Sequence, residues 1–513
     1  MKKFLGAELF FETLYKLGIK IIFGLPGGYV LKIYDVMPSY SKKIKHILTR
    51  HEQAATHMAD GFSRASGLPG IILCTSGPAA TNTITGISTA YDDSVPVLIF
   101  TGQVPTPFLG SDAFQEADHI GITRTCTKHN TLVRKTVDLP KAIAEAFYIS
   151  NTGRTGPVLV DMPKDVLISE SEFKFPKSIQ LKSYKDKFPL IKKDYISFIE
   201  KFKNSKKPLF LFGKGACSSD SSSKIKKILN NFKLPAVTSL LALGLLNKSN
   251  YNYGLIGSHG SDSSSKLLKD CDLLISIGCD LKKIVSEDEL KNKSVININI
   301  DKVDLNNKRK SNLNIHCDST EFLNKLLKEK NINFSWDSLE LEELKMLDIK
   351  NKDKEIKSNP KAYVMHNISK LLPENTIYCS DFSYEDVNLQ KFLNITDYKN
   401  NILSGGNGTP GYGFPAAIGA TFSRPRNKVV SISSGKNFQF NMQEMIVAVE
   451  QKINLTIIVL NDTHKSKYKG PNYELLAKSF GVKSIRVKNN SNFEKNIKSF
   501  LIRKGVTLIE ILI

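Results

Sequence analysis

Lys20-Ile21-Ile22-Phe23-Gly24-Leu25-Pro26-Gly27-Gly28 sets the reading of the whole chain. The apolar run at 20–23 breaks at once into glycine and proline. That is a buried strand entering a tight loop, and strand-end loops are where an open α/β sheet receives its ligands. The same figure returns at 70–74, 95–101 and 157–161, with helical patterns between the runs. Strands alternating with helices predict a parallel sheet covered on both faces. Upstream, Leu9, Phe10, Thr13, Leu14 and Leu17 recur at helical spacing, and Glu8 and Glu12 interrupt the apolar stretch. The segment after Met1-Lys2-Lys3-Phe4-Leu5 is therefore expected to be the first amphipathic helix of a soluble domain and not a signal peptide.

The pattern repeats in two further blocks. Residues 171–190 are rich in Lys, Ser, Phe and Pro and are expected to be a linker. The second block has strands near 208–212, 273–277 and 295–300. Residues 329–360 are densely charged and are expected to bridge to a third block, with strands near 376–379, 429–433, 456–460 and 507–512. The expected fold class is α/β, three doubly wound parallel-sheet domains at 1–170, 190–328 and 361–513.

Composition narrows the rest. With 41% apolar and 24% charged residues the 513-residue chain is ordinary globular material, not a disordered one. No apolar run approaches the ~20 residues that span a bilayer, so no membrane association is expected. The seven cysteines, Cys74, Cys126, Cys217, Cys271, Cys279, Cys317 and Cys379, are scattered and never form a CxxC pair. This argues against a disulfide framework or zinc site and for a reducing, cytoplasmic compartment. The net charge of +22 is mostly lysine and travels with heavy Asn and Ile usage, as an AT-rich genome produces. A nucleic-acid partner would need clustered charge on a recognisable module, and none is present.

The densest information is a string of strand-end motifs. Gly24-Leu25-Pro26-Gly27-Gly28 is followed by Arg50-His51-Glu52-Gln53 and Thr75-Ser76-Gly77-Pro78. Then come Thr101-Gly102-Gln103-Val104-Pro105, Ala113-Phe114-Gln115-Glu116-Ala117-Asp118, Gly153-Arg154-Thr155-Gly156-Pro157 and Val160-Asp161-Met162-Pro163-Lys164-Asp165. Glu52 follows a strand and opens a helix. On its own it reads as a carboxylate accepting from that helix's N-terminus. The whole string closely resembles the large subunit of acetolactate synthase (acetohydroxyacid synthase), a thiamine-diphosphate enzyme family. The resemblance runs over essentially the entire chain.

The resemblance implies a pyrimidine-binding, an FAD-binding and a diphosphate-binding domain, in that order. It implies thiamine diphosphate, Mg²⁺ and FAD as cofactors and 2-oxo acids as substrates. Pyruvate would join a second 2-oxo acid, pyruvate or 2-oxobutanoate, with loss of CO₂, in valine, leucine and isoleucine synthesis. It implies active sites between two subunits, hence a homodimer or larger assembly, and leaves room for a regulatory small subunit. Glu52 falls on the activating glutamate that faces N1′ of the aminopyrimidine. Gln115 and Phe114 match residues near cofactor and substrate. Lys164 matches a lysine of the substrate channel, with a solvated loop lysine as the other reading. Arg154 matches an FAD-contacting arginine. His259, Gly278 and Asp301 fall in segments that line the flavin, its ribityl and its adenosine. Asp301 reads equally as a loop cap. Gly408 belongs to a loop near the cofactor.

Departures are concentrated in the third block. Ser434, Gly435 and Lys436 occupy the family's Gly-Asp-Gly, so Gly435 stands in place of the metal-binding Asp. Asn461-Asp462 occupies Asn-Asn, with the register kept and Asp462 as the remaining metal ligand. Lys436 brings a positive charge to the diphosphate position. Ser383-Tyr384-Glu385-Asp386 replaces Gly-Gln-His-Gln, setting two acids toward the phosphates. Pro410 replaces a methionine. A mobile segment after Asp462 reads as deleted, and the family's C-terminal lid as missing. Earlier, Tyr29 replaces alanine, and Ala54 and Ala79 replace glycines expected at loops. After Gly278, Cys279-Asp280-Leu281-Lys282-Lys283 lacks the family's arginines. Two outcomes follow from the sequence. The chain is a working acetolactate synthase large subunit, or a degenerate member that keeps the fold and FAD binding and catalyses weakly or not at all.

Overall fold

The apolar runs become the central strands of three parallel sheets, each of six strands. The chain is described by a computed structural model, for all residues except Met1, Ser219, 307–310, Ser383, 463–469, 489–491 and the side chains of Tyr384 and Glu385. By packing it divides into two compact units.

One unit comprises Met1–Tyr184, Thr376–Ser383 and Ile402–Ile513 and carries the first and third sheets. The first sheet runs, in spatial order, Lys45–Leu48, Ile21–Gly24, Gly70–Cys74, Val97–Gln103, Val158–Pro163, His129–Leu132. The third runs Asn401–Ile402, Ile377–Asp381, Val429–Ser434, Leu455–Asn461, Val506–Leu512, Lys483–Lys488. Their central strands are buried along nearly their whole length, as strands covered on both faces must be. The expected first helix forms over Gly6–Lys16, where Glu8 accepts from the Leu5 amide at 2.8 Å and Leu9, Phe10 and Leu14 are buried. The start of the expected linker is structured. Glu170–Glu172 pairs antiparallel with Lys3–Leu5.

The two sheets of this unit are joined through a helix pair, Glu52–Ser66 against Gly413–Ser423. Contact is at backbone distance. A Cβ on Gly61 would lie 2.1 Å from the Ala416 carbonyl oxygen, and one on Gly419 would lie 1.8 Å from that of Met58. Ala54, Ala55, Ala417 and Ala420 fill the rest of the seam with the smallest side chains available.

The other unit, Lys185–Asn375 with Tyr384–Asn401, carries the middle sheet. Its order is Asn252–Leu255, Ala236–Thr238, Pro208–Phe212, Leu273–Ile277, Ser294–Asn299, Leu313–His316. In order of appearance that is 3-2-1-4-5-6, which reverses direction between Pro208–Phe212 and Leu273–Ile277. The charged stretch expected to be a bridge is instead a 21-residue helix, Ser338–Ser358. Only Leu341 and Leu344 of it are buried, too few to print an amphipathic pattern on the sequence. Among the described residues no helix is long and apolar enough to cross a membrane.

Candidate active site

Glu52 opens the Glu52–Ser66 helix but does not cap it. That position is held by His51, whose Nδ1 accepts from the Gln53 amide at 3.1 Å. The Glu52 carboxylate instead accepts from Asn82 Nδ2 at 3.0 Å. Asn82 ends the Pro78–Asn82 helix, which starts from the Gly77 turn at φ +57°. A second carboxyl stands close by. Glu444 is fully buried and takes the Arg50 amide on both oxygens, at 3.1 and 3.2 Å. Burial pushes its pKa from the ordinary 4.5 up to about 7, and the charge of Glu52 adds to the rise. Sequence reasoning gave no role to Glu444 and missed Asn82.

Around this pair the 113–119 segment is pinned from two sides. The Tyr29 hydroxyl donates to the Phe114 carbonyl at 2.7 Å. His119 Nε2 accepts from the Gly77 amide at 3.2 Å, so Nδ1 carries the proton and donates to Asp161 at 3.0 Å. Gln115 is held at φ +59°, and the Phe114 ring is 80% exposed. Lys164 begins the Lys164–Ile168 helix at the end of its strand and is exposed. Arg154 donates from Nε to Ser94 Oγ at 2.9 Å.

Two substitutions expected to relax a loop do not lie in loops. Ala54 and Ala79 are helical and buried, so neither position calls for glycine's left-handed freedom. Tyr29, the third, finds partners of its own: besides Phe114, its amide donates to Thr75 Oγ1 at 3.1 Å.

The third sheet's edge is organised by Asp381, which the sequence reading passed over. Its carboxylate accepts from the Gly411 amide at 2.8 Å and from Asn437 Nδ2 at 2.8 Å. Full burial raises its pKa from the ordinary 3.8 to about 7. Gly408, at φ +55°, has open space where a Cβ would go, and Pro410 is exposed. Gly435 and the exposed Lys436 begin the Gly435–Phe438 turn of helix after strand Val429–Ser434. Asp462 follows the neighbouring strand, in which Leu460 pairs with Ser434. Gly435 and Asp462 thus share one edge of the sheet. Among the described residues no group of three or more His, Cys, Asp or Glu is placed to hold a metal ion. The acids expected to face phosphate need revision in one case. Asp386 is paired with Lys361 Nζ at 2.7 Å, a partner that neutralises it, while Ser383 and the Glu385 side chain lie outside the described residues.

In the other unit, Gly278, Asp301 and His259 all follow parallel strands and so reach the same sheet edge. Asp301 caps the turn after its strand, accepting from the Val303 amide at 2.8 Å. Burial lowers the pKa of His259. At the point where strand order reverses, Gly213 and Gly215 lie against Gly278. A Cβ on Gly213 would stand 2.3 Å from the Gly278 oxygen, and one on Gly278 2.4 Å from the Gly215 carbonyl carbon. This Gly-x-Gly directly after a strand was the signal available in the sequence and not taken up. Of the basic run after Gly278, Lys283 stands 3.9 Å from Asp280.

Comparison with known proteins agrees with this layout. Residues 5–122 match the thiamine pyrophosphate enzyme N-terminal TPP binding domain, 197–326 the central domain and 386–511 the C-terminal TPP binding domain. The acetolactate synthase large subunit of Porphyra purpurea is 33% identical, over 99% of this chain and 92% of its own length. That of Lactococcus lactis subsp. lactis is 34% identical over the same shares. The probable acetolactate synthase large subunit of Methanocaldococcus jannaschii is also 34% identical, again over 99% and 92%. The motifs at the strand ends, the three parallel sheets and these full-length similarities agree, and the chain belongs to the acetolactate synthase large-subunit family of thiamine pyrophosphate enzymes.

Proposed function

We propose that this chain acts as an acetolactate synthase large subunit, joining pyruvate to a second 2-oxo acid with release of CO₂. The observation that carries the reading is the Glu52 carboxylate, left free of helix capping and oriented by Asn82 at 3.0 Å. Thiamine diphosphate, when bound, supplies the electron sink that lets a 2-oxo acid lose CO₂. Glu52 holds and returns a proton at the pyrimidine ring, which needs a carboxyl of fixed direction. Asn82 fixes that direction, and the buried Glu444 beside it resists ionisation. Gln115 and Phe114 line the approach, and the Lys164 ammonium draws in the substrate carboxylate. Gly408 leaves room for the cofactor in the loop before the Gly413–Ser423 helix.

Among the described residues the sheet edge does not supply a magnesium site, since Gly435 carries no side-chain ligand and Asp462 alone is no cage. No step is assigned to a cation. FAD fits the other unit better. Its strand order is that of dinucleotide-binding sheets, and glycines meet at the reversal. His259, Gly278 and Asp301 would hold the flavin nucleotide there. FAD has no net redox role in this reaction. The same reading takes 1–170, 190–328 and 361–513 as pyrimidine, FAD and diphosphate domains. It includes a homodimer, a small regulatory subunit as the relatives' "large subunit" names suggest, and a cytoplasmic setting suited to seven free cysteines. The test is acetolactate formation from pyruvate by the purified chain with thiamine diphosphate and FAD, with and without a small subunit. Product that disappears in Glu52→Gln supports the reading, and no product under either condition overturns it.

A further inference from the structure

Tyr473 is the first residue of the Tyr473–Ser479 helix and is completely buried. Its phenol reaches the turn that follows strand Val429–Ser434. The hydroxyl donates to the Gly435 carbonyl at 2.6 Å and accepts from Gln439 Nε2 at 2.8 Å. The ring packs edge-on against Phe438, centroids 5.8 Å apart. It also closes the space in front of Gly435. A Cβ there would be 3.1 Å from both Tyr473 Cε2 and the hydroxyl oxygen, tighter than ordinary van der Waals contact. Any side chain at this position would press on the ring, which would have to give by a few tenths of an ångström for the Cβ alone.

Mg²⁺ requires near-octahedral oxygen ligation at about 2.0–2.1 Å and gives up its water reluctantly. Among the described residues the sheet edge offers Asp462 from one strand, a glycine covered by a satisfied phenol from the next, and beyond it the Asp381 carboxylate, already engaged by the Gly411 amide and Asn437 Nδ2. We propose that this edge takes no divalent cation. Tyr473 fills the place, and its hydroxyl fastens the turn to the next helix as a hydrogen bond between neutral groups. The inference rests on the acetolactate synthase reading in one respect: a cofactor diphosphate bound at this edge is bound metal-free. The substitution at Gly435 and the position of Tyr473 are then one change. Either alone would leave a cavity or a collision.

The test uses the full-length chain and Mn²⁺ as a paramagnetic stand-in for Mg²⁺. Free Mn²⁺ is counted by electron paramagnetic resonance, with and without saturating thiamine diphosphate. The expected result is no cofactor-dependent uptake. Uptake approaching one ion per chain overturns the proposal. Calorimetric titration of thiamine diphosphate into the chain in Mg²⁺ and in EDTA gives the second reading. Affinities within about twofold support the proposal, and a loss of about tenfold or more in EDTA overturns it. Thiamine diphosphate that fails to bind in both buffers counts against the proposed function, while the Mn²⁺ count still decides the metal question.

Discussion

Arg64 and Asp93 meet at 2.7 Å with both side chains almost wholly withdrawn from water. Arg64 also holds Asp60 at 2.6 Å, and Asp60 accepts from the Tyr412 hydroxyl. Asp93 in turn accepts from the Gly405 and Gly406 amides at 2.9 and 2.8 Å. One guanidinium therefore balances two buried carboxylates, and one of these carries the loop that leads to Gly408.

Arg64→Ala leaves both carboxylates buried without a counter-charge. Removing one partner of such a pair costs about 3–5 kcal/mol. Urea unfolding should show a loss of that size. A variant within about 1 kcal/mol of the parent would mean the network contributes little.

Gly419→Ala places a methyl group 1.8 Å from the Met58 oxygen. The two helices must separate, which costs about 1–3 kcal/mol or more in a close-packed seam. Gly481, with open space around its Cβ position but φ +76°, serves as a control for backbone strain alone. Thermal melts of the two alanine variants should rank Gly419→Ala as the more damaging if close packing governs the seam.

Glu444 and Asp381 both have folded-state pKa values near 7, above their ordinary 4.5 and 3.8. Between those values the folded chain holds protons that the unfolded chain releases. Their contribution to stability is complete below the ordinary value and is lost as pH rises toward 7. Glu444→Gln should flatten the fall in urea midpoint between about pH 5 and 7, leaving the share due to Asp381. An unchanged slope would place the titrating groups elsewhere.

Glu52→Gln replaces an acid by an amide that cannot hand over a proton, and turnover should fall by about 10²–10⁴. Asn82→Ala keeps the acid and loses only its orientation, so a loss of about tenfold is expected. If the two variants lose equally, Asn82 does more than orient.

How much of this was legible in sequence depends on burial and on chain distance. Strands 70–74, 208–212 and 273–277 are read to the residue because they are unbroken apolar runs, buried on both faces. Edge strands Lys45–Leu48, His129–Leu132 and Lys483–Lys488 were not read, since exposed charged and polar residues interrupt them. Glu52 stood out because its motif is local. Its neighbours did not: Asn82 is 30 residues away, and Glu444 is 394 residues from the Arg50 amide it accepts. Asp381 and Tyr473 act through folded proximity to turns whose sequence gives no hint of them.

The glycine–alanine seam between the Glu52–Ser66 and Gly413–Ser423 helices bears on how this gene can be recombined. Each helix is shaped to the bare backbone of the other, at Gly61 with Ala416 and at Met58 with Gly419. A crossover between residues 66 and 413 that joins this chain to a relative with bulkier residues on either helix inherits a collision no nearby side chain can relieve. Fragments exchanged outside that interval keep the matched pair together. The two helices behave as a single heritable block, although some 350 residues separate them in the gene product.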